Sequence, residues 1–210
     1  DEQYLYVLNN VTNEVEKYTH NNLVTFDKNN LTKVDERLIT NASPNVANSE
    51  GFMDIKLIGN KFYLTNRGNR LKSNPYEPTP QDKLVILDKD SLARKEVSLG
   101  QDEPHKIAVS NDEKTLAISH ANDSFDTSMI ISFYDIDSQK IRRLVLDESL
   151  MENYSTEDML INVDFDKDGK VWILTWKNLL VYDLEKQEKI FGLDLVKYDL
   201  EYAHLLALKK

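Results

Sequence analysis

Leu23-Val24-Thr25-Phe26-Asp27 returns as Leu84-Val85-Ile86-Leu87-Asp88, as Ile131-Ser132-Phe133-Tyr134-Asp135 and as Leu179-Leu180-Val181-Tyr182-Asp183. Each copy is an apolar, β-branched or aromatic run that stops at an aspartate. A few polar residues follow, then a second short strand-like run: Lys33-Val34, Lys95-Glu96-Val97, Lys140-Ile141 and Lys189-Ile190-Phe191. The aspartates fall 61, 47 and 48 residues apart. Recurrence near this period marks an array of one supersecondary unit stacked several times.

Working outward from the third copy gives the whole unit. His105–Ser110 alternates as a strand, Asn111-Asp112-Glu113-Lys114 is a turn, and Thr115–Ser119, Met129–Tyr134 and Lys140–Leu146 supply three more strands. Four short antiparallel strands, a to d, in about 45 residues make one propeller blade. The same four fit Asp54–Ile58, Phe62–Thr65, Leu84–Leu87 and Arg94–Leu99, and again Leu160–Phe165, Val171–Thr175, Leu179–Tyr182 and Lys189–Leu193. The chain begins at a strand b, Tyr4–Leu8, and ends on an isolated strand a, Ala203–Leu208. The expected fold is therefore all-β: a single-domain β-propeller of four four-stranded antiparallel blades. Its N-terminal blade, strands b, c and d, is completed by the C-terminal strand a, which removes a sheet edge. The blades cover residues 203–210 with 1–41, then 52–99, 104–147 and 159–195. A closed four-bladed ring is the favoured reading, and half of a larger ring the other.

Composition narrows the function. The 210 residues are 40% apolar and 30% charged, enough for a real core. A net charge of −10 speaks against nucleic acid or an anionic membrane as partner, because both are held through Lys and Arg. With no cysteine there is no disulfide, thiol or Cys-based zinc chemistry. No apolar run is long enough to span a bilayer. The chain opens on Asp1-Glu2-Gln3 without an initiator methionine, as a processed form does, and a signal peptide or lipid anchor would precede it.

Strand b carries a family resemblance. Tyr63-Leu64-Thr65-Asn66 and Tyr6-Val7-Leu8-Asn9 resemble the Tyr-Val-Thr-Asn repeat of the YVTN β-propellers of the lactonase-like group. Pro104-His105-Lys106-Ile107-Ala108-Val109-Ser110-Asn111-Asp112-Glu113-Lys114 is similar to that family's Pro-His…Ser-Pro-Asp-Gly hairpin, and Asp166-Lys167-Asp168-Gly169-Lys170 is another version of the turn. The second unit lacks the Pro-His. The resemblance implies a propeller of the kind found among bacterial surface and periplasmic binding proteins and lactonase-like enzymes, outside the bacterial cytoplasm.

Candidate site residues come from the end of the sheets that bears the b–c and d–a connections. The stretch Asn66 to Lys83 carries Arg67, Arg70 and Tyr76 among three prolines, and an ordered loop on a rigid scaffold is where binding concentrates. Asn9, Asn66, His120 and Trp176 fall at equivalent ends of strand b and Asn122 just beyond, a set able to stack and to hydrogen-bond, though Asn is also an ordinary turn residue. His105 and His204 begin two strands a, with Asp54 nearby in the pattern. They could serve a metal or acid–base chemistry, but metal sites normally want three ligands, and polar lining is the plainer reading. Asp164-x-Asp166-x-Asp168-Gly169 opens like a calcium loop, yet Trp172 and Thr175 stand where ligands would follow. The four repeated aspartates are read as turn-formers. No Gly-x-Ser-x-Gly elbow and no phosphate-cradling Gly-rich loop appears. The expectation is a non-catalytic propeller without cofactor or metal that binds a protein, peptide or glycan. The alternatives are a lactonase-like or metal-assisted hydrolase using His105, His204 and Asp54, or a structural half-ring.

Overall fold

The Asp-terminated runs are strands of four antiparallel sheets, the third strand in three of them and the middle strand of the three described in the first. The computed structural model describes residues 2–13, 18–39, 51–69, 79–121, 128–200, 202, 206 and 208. The first sheet has β1 (Tyr4–Asn13), β2 (Tyr18–Asp27) and β3 (Lys33–Leu38). The second has β4 (Phe52–Ile58), β5 (Lys61–Asn69), β6 (Thr79–Asp88) and β7 (Arg94–Ser98). The third has β8 (Pro104–Val109), β9 (Thr115–His120), β10 (Met129–Asp135) and β11 (Ile141–Leu146). The fourth has β12 (Leu160–Phe165), β13 (Val171–Thr175), β14 (Asn178–Asp183) and β15 (Glu188–Asp194). The first sheet thus shows three strands among the described residues. The strand expected to complete it, 203–208, lies outside them apart from Leu206 and Leu208.

The chain divides into two compact units, residues 1–103 and 104–210. In the first, Leu23, Phe52, Phe62, Leu64, Val85 and Leu87 form the core. In the second, Ile131, Phe133, Leu160, Phe165, Val171 and Ile173 belong to one larger cluster. The core residues lie on alternate positions of the strands, as one buried face requires.

The repeated aspartate builds one turn four times. Asp27 Oδ1 accepts from Asn29 N (2.8 Å), Asp88 Oδ1 from Ser91 N (2.8 Å), Asp135 Oδ1 from Ser138 N (2.6 Å) and Asp183 Oδ1 from Glu185 N (3.0 Å). Four residues on, Leu31, Leu92, Gln139 and Gln187 all take left-handed backbone, with φ of 56° to 58°. That conformation costs an L-residue about 1–2 kcal/mol, whereas glycine adopts it freely at an entropic cost of about 0.5–1 kcal/mol. Gln187→Gly is therefore expected to stabilise the protein by about 0.5 kcal/mol, read as a higher urea midpoint.

Two expected loops are corrected. β1 and β2 stay paired from Tyr4↔Asp27 through Asn9↔Asn22 to Asn13↔Tyr18. β5 and β6 continue past Asn66↔Lys83, across a bulge, to Gly68↔Pro80 and Asn69↔Thr79. Asn9 and Asn66 thus lie inside ladders, not at strand ends. Backbone pairing needs no apolar side chain, so these Asn-rich extensions carry no alternating pattern to announce them.

Strand a bulges in all three four-stranded sheets: between Phe52 and Ile55, between Pro104 and Ile107, and between Leu160 and Asn162. In two of them a hydroxyl of strand b takes the displaced amide. Asp54 N donates to Thr65 Oγ1 and Lys106 N to Ser119 Oγ, each at 3.1 Å. Beside the first bulge Gly51 meets β5 closely: its N–H donates to Asn66 Oδ1 (3.0 Å) and its carbonyl accepts from Arg67 N (2.9 Å).

Candidate functional site

Between β13 and β14 only Trp176 and Lys177 intervene, the shortest b–c connection among the described residues. The turn closes on Thr175, whose Oγ1 accepts from Asn178 N (2.9 Å) and Lys177 N (3.2 Å) and donates to Asp158 Oδ2 (2.6 Å). Asp158, on the connection into β12, also accepts at Oδ1 from Met159 N (2.8 Å) and Lys177 N (3.2 Å), and at Oδ2 from Asn178 Nδ2 (3.1 Å). Asn178 reaches Asn153 in both directions, donating to its carbonyl (2.9 Å) and accepting its N–H (3.1 Å). Asn153 Nδ2 then donates to Asp194 Oδ1 (3.3 Å). Asp158, Thr175 and Asn178 are fully buried. A polar network so enclosed and so well satisfied fixes its backbone rather than moving with solvent.

Over this turn folds the segment after β15. Asp194 caps a 3-10 helix, Leu195–Tyr198, by accepting Val196 N at 3.0 Å. Burial alone would push the Asp194 carboxyl up, but the Asn153 amide, the Val196 N–H and Lys197 outweigh it and hold it below the ordinary range. Leu195 N donates to Lys177 O (2.8 Å) and Tyr202 N to Trp176 O (3.1 Å), so the segment is tied to both turn residues. Tyr202 sits at φ 65°, an uncommon conformation for an aromatic residue and of the kind that gathers at functional sites. Its ring meets that of Trp176 edge-on, centroids 5.4 Å apart at 67°. Tyr202 is 55% exposed, and Tyr198 and Leu200 of the same segment are exposed as well. The arrangement is a rigidly held aromatic pair next to Lys177, suited to stacking on a flat apolar face.

The other candidates are placed as follows. His120 is buried, its Nε2 2.8 Å from Ser132 Oγ, so it faces the interior of its sheet. Asn66 is buried too, its Oδ1 shared by Gly51 N and Gly68 N (3.1 Å). Its carbonyl oxygen is spent on the bulge, the turn chemistry that the sequence also allowed. Asn9 is exposed and Arg67 half-buried. Asp54 is half-buried, accepts from its neighbour Ile55 N (2.8 Å) and lies 3.6 Å from Lys56 Nζ. His105 is half-buried within the β8 bulge, and Pro104 pairs with His120 at that end of the ladder. Arg70, Tyr76, Asn122 and His204 lie outside the described residues. Among the described residues no three His, Asp or Glu stand close enough to hold a metal ion, and no helix is long and apolar enough to cross a membrane. In the calcium-like turn both carboxylate oxygens of Asp166 are engaged, Oδ1 by Asp168 N and Lys170 N and Oδ2 by Trp172 Nε1, all at 2.9 Å. Asp158, Lys177 and Tyr202 were not among the sequence candidates. The signal for Asp158 was the pair Thr175 and Asn178 bracketing a two-residue turn, which calls for a nearby acceptor.

The turn aspartates give a pH prediction. The Ser91 N–H and hydroxyl on Asp88, the Ser138 hydroxyl and N–H on Asp135, the Ser149 hydroxyl on Asp147 and the Lys170 ammonium on Asp183 each hold the carboxyl below its ordinary value. The unfolded chain then binds more protons, so this stabilisation is complete above about pH 4 and is lost as pH falls through the folded values. Urea midpoints measured from pH 6 down to about 2 are expected to hold near the top and fall below about pH 4.

No protein-family model matches the chain, and no curated protein matches it. Three solved structures are similar. A luciferin-regenerating enzyme has a TM-score of 0.55 at 14% identity, covering 84% of this chain and 57% of its own. The Cps50 (Swd1) β-propeller domain of Myceliophteria thermophila has 0.54 at 12%, covering 90% and 58%. Sqt1 of Saccharomyces cerevisiae has 0.53 at 12%, covering 90% and 47%. All three are β-propeller proteins, and the chain spans about half the length of each. At such identity the likeness carries the fold alone: the sheets are propeller-like.

Proposed function

We propose that the protein is a non-catalytic propeller module that binds a protein, peptide or glycan through the b–c and d–a end of its fourth sheet. The observation that carries this is the Trp176–Tyr202 pair, presented by a two-residue turn and braced from beneath by Asp158, Thr175 and Asn178. A buried network under a half-buried Trp176 and an exposed Tyr202 is what pre-organised recognition requires, since little freedom is then lost on binding. Lys177 beside it would add a charge-assisted hydrogen bond.

Within this reading the four blades are of YVTN-like type, and residues 203–208 supply strand a of the first; the motifs of strand b and the order of the repeats in the sequence support both. The location is outside the bacterial cytoplasm, and no cofactor is used. Peptide and glycan arrays probed with the wild-type protein and with Trp176→Ala test the site. Ligands found by the first are expected to bind the second at least about 30-fold more weakly, the effect of removing an aromatic hot spot. Equal binding by both would place recognition elsewhere. A second reading, that the sheets are part of a larger ring completed by another copy or by further chain, is favoured by the half-length match to the similar propellers. Sedimentation tests it: a 24.3 kDa monomer speaks against completion by a copy.

A further inference from the structure

The opposite end of the third and fourth sheets, where the a–b and c–d turns lie, holds two cavities of about 360 and 330 Å³. Arg142 and Leu184 line both, so the two adjoin. The floor is apolar: Phe133 and Phe165 belong to the buried core, and Leu144, Tyr182 and Leu184 pack against it while remaining partly exposed. Arg142, Arg143 and Leu144 are consecutive on β11, the last strand of its sheet, and all three line one cavity. Successive side chains of a strand point to opposite faces, so a cavity that touches three in a row runs along the strand's outer edge. Its occupant would lie extended beside β11.

The charge of this groove differs from that of the molecule. Arg142 is exposed; among the described residues its guanidinium makes no hydrogen bond or close ion pair, and its charge acts on the Asp135 carboxyl, which it helps to hold low. The acids around it are engaged locally: Asp112 holds Ser110 Oγ (2.7 Å) and Lys114 N (3.1 Å), and Asp135 holds Ser138 N. Arg143 and Lys167 line the same groove, Lys167 with its Nζ 3.3 Å from Asp168 Oδ1, and Glu185 faces it from the turn after β14. In a chain of net charge −10, the lining holds Arg142, Arg143 and Lys167 against Asp112 and Glu185, a local excess of positive charge beside the apolar side chains.

We infer that this groove binds an extended acidic peptide segment, with a carboxylate on the planar fork of Arg142 and a neighbouring apolar side chain on Leu144, Tyr182 and Leu184. An arginine presents paired donors matched to a carboxylate, and an apolar floor beside it strengthens the contact by excluding water. The site is separate from the Trp176 platform, so either can fail alone.

The test is calorimetric titration of the full chain with an acetylated, amidated pentapeptide of alternating glutamate and leucine, and with its glutamine counterpart. The acidic peptide is expected to bind, and its glutamine counterpart to bind at least about tenfold more weakly. The double variant Arg142→Gln with Arg143→Gln should lose affinity to a similar extent, Glu185→Gln should gain, and Trp176→Ala should leave binding unchanged. Should the double variant melt early, Glu185→Gln and the peptide pair still decide. Absence of binding at millimolar peptide, equal affinity for the two peptides, or a folded double variant that binds as well as wild type would each overturn the inference. So would a peptide-free dimer that occupies the groove.

Discussion

Asp158→Ala is expected to lower the unfolding free energy of the 104–210 unit by about 3–5 kcal/mol. The carboxylate is fully buried and accepts four hydrogen bonds, from Thr175 Oγ1, Asn178 Nδ2 and the amides of Met159 and Lys177. Alanine leaves the Met159 N–H and one hydrogen of Asn178 Nδ2 without an acceptor, and leaves the Thr175 hydroxyl and Lys177 N–H only their longer bonds to Asn178 O (3.4 Å) and Thr175 Oγ1 (3.2 Å). Each orphaned donor costs about 1–3 kcal/mol before water and relaxation recover part of it. Asp158→Asn keeps the shape but sets an NH2 group against donors, so a smaller loss is expected. Both tryptophans of the chain, Trp172 and Trp176, belong to this unit, so intrinsic fluorescence during guanidinium unfolding reports on it directly. The same substitution should abolish recognition by the Trp176–Tyr202 pair even where the fold survives, because the turn presenting Trp176 loses its brace. A loss of stability below about 1 kcal/mol would show that the network is peripheral.

Gly51→Ala should cost about 2–3 kcal/mol in the other unit. A Cβ at Gly51 would meet the carbonyl oxygen of Gly68, so backbone must move against backbone. The two hydrogen bonds that Gly51 exchanges with Asn66 and Arg67 would stretch with it, and with them the bulge that carries the β5–β6 ladder out to Asn69. Gly192→Ala is the matched control. Its Cβ would lie 3.6 Å from Leu180 Cδ2, an ordinary contact, and near-neutral stability is expected.

Strand order and sheet boundaries were legible in the sequence because each c strand ends on an aspartate that the turn consumes. Asp88 with Ser91 and Asp135 with Ser138 give the phase of their sheets from side-chain chemistry alone. The polar ladder extensions were not legible, since Asn10–Asn13 and Asn66–Asn69 are held by backbone groups that every residue carries. Of the candidate site, Trp176 was named through its equivalence to Asn66 and His120, and the structure gives the three different surroundings. The latter two are buried and bonded internally, Asn66 to the amides of Gly51 and Gly68 and His120 to Ser132. Tyr202 escaped notice since its place depends on a left-handed residue and on a bond to the Trp176 carbonyl. Neither has a local sequence signature.

The bulge that opens strand a in three of the sheets has a consequence for what the scaffold tolerates. At Met53-Asp54, His105-Lys106 and Ile161 the residues step out of register with strand b, and in two sheets a hydroxyl from strand b takes over the amide that the step releases. Side-chain identity there is uncoupled from strand pairing. An apolar thioether, an imidazole and a branched aliphatic occupy equivalent places without altering the ladders around them. These positions behave as interchangeable sockets, so new chemistry introduced by substitution at Met53 or Ile161 would be carried by a frame that already holds His105 in the same setting.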